Sequence, residues 1–84
     1  MQKKKYAIVI ESGPNNYSAY ALDVPGCIAT GDSIEEVTRL MAEGLEFHFE
    51  GMREDRDPIP EPVTYVAYVD VEIPKEIPEP AGKP

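Results

Sequence analysis

The sequence predicts an α+β domain in the order β-β-β-α-β, with one amphipathic helix laid across one face of an antiparallel sheet. Three observations predict it. Short β-propensity runs, separated by turn formers, occupy the first thirty residues. One long segment of helical period follows a capping signature. An alternating apolar run comes last, just before a proline-rich end.

Tyr6 to Ile10 is a strand candidate with no breaker, and Gly13-Pro14-Asn15-Asn16 gathers four turn formers. Tyr17 to Leu22 reads as the second strand, so the pair forms a hairpin with a loop longer than the two-residue minimum. Asp23-Val24-Pro25-Gly26 then turns the chain: proline cannot donate to a ladder, and glycine accepts a positive φ. Asp23 fits there as a turn residue bonding its own backbone. Cys27 to Thr30 is a short third strand ended by Gly31-Asp32.

Ser33 followed by Glu36 three residues on is a capping box. From Ile34 to about Arg53, the residues Ile34, Val37, Met41, Leu45, His48, Phe49 and Met52 share one face at 100° per residue. Glu36, Arg39, Glu43, Glu46 and Glu50 cover the other face, and Gly51 is expected to fray the end. Leu40 and Phe47, one heptad apart, sit at the border of the two faces. Either the apolar stripe is wide and covers a broad sheet, or these two belong to an interface.

Glu54 to Pro62 reads as a turn or extended connection, and Val63 to Ile73 as a long final strand. Its odd positions form one continuous apolar face, and partial apolarity of the even positions suggests outside cover there too. One domain is therefore expected over residues 1–73, with a flexible proline-rich tail over 74–84.

The chain has 84 residues and a formal net charge of −8. A domain of this size buries only about 60% of its unfolded surface, so pairing with itself or a partner is favoured energetically. Between Lys5 and Pro62 the cationic residues are Arg39, Arg53 and Arg56, and this acidity opposes nucleic-acid binding while favouring a basic partner. No apolar run is long enough to span a membrane and no cleavage site follows the basic start, so a cytoplasmic protein is expected.

Chemistry is sparsely signposted. Cys27 is the sole cysteine and His48 the sole histidine, and both read as packed residues rather than a nucleophile and its base. No phosphate loop, metal-ligand spacing or nucleophile elbow occurs, so no enzyme, metal or cofactor is expected. A hydrolase built on Cys27 or the helix carboxylates is the weakest of the possible functions.

Tyr6 to Ile10, Tyr17 to Tyr20 and Asp23-Val24-Pro25-Gly26-Cys27 carry a resemblance, with Ala29 to Glu36, Glu43 to Gly51 and Pro58 to Pro60. Together, in this order and spacing, they resemble the HicB-like family, the antitoxin half of HicA–HicB toxin–antitoxin pairs. The resemblance implies a partial ribonuclease H-like fold, a homodimer or higher oligomer, and binding to HicA, a small basic toxin that cleaves messenger RNA. Family antitoxins often add a helix-turn-helix or ribbon-helix-helix domain; residues 74–84 are too few for one, so operator binding is not expected. An oligomeric structural or regulatory protein of the same fold is the alternative. Candidate interface residues are Tyr17, Tyr20, Asp23, Pro25 and Gly26 from the hairpin and turn, with Leu40, Glu43, Glu46 and Phe47 from the helix.

Overall fold

The computed structural model describes residues 2–75. Strand β1 (Ile8–Ser12) and strand β2 (Tyr17–Ala21) form an antiparallel hairpin, closed by the Gly13 N–H donating to the Asn16 carbonyl at 2.7 Å. Strand β3 (Ile28–Gly31) pairs antiparallel with the other edge of β2, giving the order β1-β2-β3. The first three predicted strands are present, with boundaries shifted by one or two residues.

Register decides which side chains meet the helix. Ile8 and Ile10 on β1 face Ala21 and Ala19, and Ala19 faces Ala29 on β3. Three alanines on the inner face leave room for a close helix. Helix α1 (Ile34–Glu54) fills it with Val37, Met41 and Leu45, which bury against Ala19, Ala21, Val24 and Cys27. The helix lies mainly over β3 and β2 and barely reaches β1, so Ile8 and Ile10 stay half-buried.

Both helix ends are sealed locally. Ser33 Oγ accepts from the Glu36 N–H at 3.0 Å, as a capping box requires. Glu36 reaches back one residue further than the motif implies, accepting from the Asp32 N–H at 2.6 Å. A Cβ on Gly31 would lie 3.2 Å from the Val37 nitrogen, tighter than an ordinary contact, so a side chain at this strand end would push against the helix start. The C-terminus does not fray at Gly51. Arg56 takes a left-handed φ of 61°, its N–H donates to the Arg53 carbonyl, and the Asp57 N–H donates to Met52. These two bonds make a Schellman motif with arginine where glycine is usual.

Two sequence expectations need correction. His48 is exposed, although its helical angle places it on the apolar stripe. Phe49 beside it packs instead on Tyr6, with ring centroids 5.1 Å apart. The final strand is also absent among the described residues, and the ribonuclease H-like arrangement that needs it is not seen. Val63 to Ile73 finds no ladder to join. Val63 is 70% exposed, Tyr65 95% and Val69 80%, so the apolar face meets nothing in this copy. The tail beyond Lys75 lies outside the described residues.

Candidate partner-binding interface

The interface residues expected from sequence do not converge on one site. Tyr17 and Tyr20 point to opposite faces of β2: Tyr17 is half-buried on the helix side, whereas Tyr20 lies outward between Val9 and Ile28. The Asp23–Gly26 turn is an anchor. Gly26 adopts a φ of 85°, the Cys27 N–H donates to the Val24 carbonyl, and Val24 is buried.

Asp23 was expected to bond its own turn, and here too the structure differs. Its carboxylate accepts from the Val63 N–H and the Thr64 N–H at 3.0 Å, and from the Thr64 hydroxyl at 2.6 Å. The Thr64 hydroxyl foremost, then the two N–H groups, hold the Asp23 carboxyl below its ordinary value. Nothing local in the sequence signals this contact, because the partners lie forty residues away.

Three of the helix residues do share a surface. Glu43, Glu46 and Phe47 line an open groove of about 1060 Å³, together with Phe49 and Glu50. The opposite wall comes from the chain before β1 and from the connection after the helix. It is held by the Tyr6 hydroxyl, which donates to the Pro60 carbonyl at 2.7 Å, and by the Lys4–Glu61 pair at 2.9 Å. The Glu61 hydrogen bond raises the Lys4 ammonium above its ordinary value. Leu40 lies outside this groove and is half-buried.

Phe47 is 83% exposed, which rules out the wide-stripe account for that residue. The helix around it carries six carboxylates and two arginines. Arg39 pairs with Glu43 at 3.2 Å and Arg53 with Glu50 at 2.6 Å; both pairs are exposed, so solvent screening leaves them little weight in stability. Glu46 forms no ion pair among the described residues. The surface is thus an aromatic ring beside three carboxylates, of which Glu43 and Glu50 are paired with arginines, and Lys3, Lys4 and Arg53 also line the groove.

Burial pushes the Cys27 thiol up, away from the thiolate that a nucleophile needs. Among the described residues, no group of three or more His, Cys, Asp or Glu side chains could hold a metal ion. No helix there is long and apolar enough to cross a membrane.

Three antiparallel strands followed by one helix with an acidic flank define the described residues as an α+β domain. Residues 6–75 match the family described as the HicB-like antitoxin of bacterial toxin–antitoxin systems, and the chain belongs to that family. Its members are generally non-catalytic. A protein of Haemophilus phage HP1 (strain HP1c1), described as an uncharacterized 14.9 kDa protein in the rep-hol intergenic region, is 40% identical over 55 residues. That alignment covers 66% of this chain and 41% of the phage protein, so the chain spans less than half of that relative. No solved structure matches the chain significantly.

Proposed function

We propose that this domain binds and neutralises a small basic toxin of the HicA type, a messenger-RNA-cleaving protein, through the acidic flank of α1. The observation that carries the reading is Phe47, 83% exposed between Glu43, Glu46 and Glu50. A large exposed aromatic ring is costly to leave in water and is the residue type that anchors protein interfaces. Carboxylates around it complement a cationic RNA-binding surface, steering the toxin and competing with its substrate. The net charge of −8 acts in the same direction at long range and disfavours nucleic acid as a direct ligand.

The reading assigns no operator contact to the described residues, whose single helix is too little for a helix-turn-helix. It also assigns them no cofactor and no membrane contact. Because the process blocked is messenger-RNA cleavage, it places the chain in the cytoplasm.

The test is inhibition of RNA cleavage by a purified HicA-type toxin. The wild-type chain should abolish cleavage near stoichiometric concentration. Combining Glu46→Lys with Phe47→Ala should raise the half-inhibiting concentration at least about tenfold, about 1.4 kcal/mol. Equal inhibition by the double variant would refute this surface. A second reading, an oligomeric structural or regulatory protein without a toxin, is favoured by the exposed apolar segment after residue 62. No inhibition at tens of micromolar would favour it instead.

A further inference from the structure

The groove beside Phe47 supplies its own cations. Of the four carboxylates that line it, Glu43 pairs with Arg39, Glu50 with Arg53 and Glu61 with Lys4; Glu46 alone has no ion pair among the described residues. Lys3, Lys4 and Arg53 line the same groove. Four acids against three bases leave it a net charge of −1, in a chain that carries −8. The acidity of the molecule is thus nearly cancelled at the one place where a basic partner is expected to dock.

Two of those three bases belong to the chain before β1, and that segment is held in place. Tyr6 is its pivot: the hydroxyl donates to the Pro60 carbonyl, and the ring packs on Phe49, itself a groove residue. Two residues back, Lys4 Nζ donates to both Glu61 carboxylate oxygens, at 2.9 and 3.0 Å. Lys5 lies between these two fixed points and does not line the groove. Residues 2–5 are exposed and lie outside the sheet. Their hold beyond Tyr6 is therefore one solvent-exposed ion pair, a contact that opens readily.

We propose that residues 2–5 are a cationic strap, tethered by Lys4 to Glu61, that masks the acidic groove in the free protein and is displaced when a basic partner docks on Phe47. The partner in this inference rests on the toxin reading; the strap itself does not. Lys3 and Lys4 stand where the partner's cations must come, and like charges at short range repel. The strap lowers apparent affinity by the fraction of time it is closed, and a weak exposed tether sets that factor at about two- to fivefold. It lowers affinity for every cation but leaves Phe47 uncovered, at 83% exposure. A partner that offers charge alone is disfavoured, whereas one that also buries the aromatic ring gains enough to open the strap.

The tether is tested without a partner, by backbone NMR relaxation of the full chain. The Lys3 and Lys4 amides should be ordered in wild type and mobile in Glu61→Gln, with the helix resonances unmoved. Equal mobility in the two proteins would overturn the strap. Displacement is tested by calorimetry with a catalytically inert HicA-type toxin, comparing Lys4→Gln with Lys5→Gln, which remove the same charge one residue apart. Lys4→Gln should tighten binding about two- to fivefold and Lys5→Gln clearly less. Equal effects would mean that only overall charge matters, and would overturn the proposal. In the wild-type complex the Glu61 carboxylate carbon should shift toward its position in Lys4→Gln; an unmoved resonance would show the strap still closed. If the toxin binds none of the three proteins, the toxin reading fails by itself, and an arginine-rich peptide takes its place in the same comparison. A peptide indifferent to the Lys4→Gln change would then overturn the strap.

Discussion

Asp23 shows how one side chain can fix a distant segment. Three hydrogen bonds from Val63 and Thr64 converge on its carboxylate. Because they favour the charged form, the folded value lies below the ordinary 3.8. The stabilisation is therefore fully present above about pH 3.8 and is lost as pH falls through the lower folded value. The amide resonances of Val63 and Thr64 should titrate together with a midpoint below 3.8. A midpoint at or above it would mean the anchor is not formed. Sequence could place Asp23 in a turn, but local chemistry carries no information about a partner forty residues on. His48 illustrates a related limit. Helical angle alone gave its face, whereas its burial depends on what the rest of the chain packs there.

The helix was the most legible element, because its start signal and its period are both local. Ser33 caps it as expected, and Ser33→Ala should cost about 1 kcal/mol in urea-induced unfolding. The glycines of the element behave differently from one another. A Cβ on Gly44 would meet Cys27 Sγ at an ordinary 3.9 Å, so Gly44→Ala should stabilise the domain by about 0.5–1 kcal/mol. Gly31→Ala should instead destabilise it, since its Cβ would crowd the Val37 nitrogen at 3.2 Å. At the far end, Arg56→Gly relieves a left-handed φ of 61° and should add about 1 kcal/mol. Equal unfolding midpoints for the two glycine-to-alanine variants would contradict the packing described at these positions. The arginine at the Schellman position could not be read from sequence, where the helical period ran to about Arg53 and Gly51 marked only a fraying end.

At the scale of the whole molecule, the hairpin, third strand and helix follow from periodicity and turn residues, whereas the final strand does not form in a single copy. A helix satisfies its backbone within itself; a strand must find a neighbour, and sequence does not say whose. That asymmetry is why residues 34–54 were legible and 63–73 were not. It also separates two surfaces on one small domain: an acidic, aromatic helix flank, and an apolar strand with a bare sheet edge.

The most direct test of the proposed function is calorimetric titration of the full chain with a catalytically inert HicA-type toxin at moderate salt. Saturable binding below about 1 μM is expected, weakened at least about tenfold by Phe47→Ala, about 1.4 kcal/mol, and further as salt rises. No heat of binding at tens of micromolar, or an affinity indifferent to Phe47→Ala, would contradict the assignment of the acidic helix flank as the toxin-binding surface.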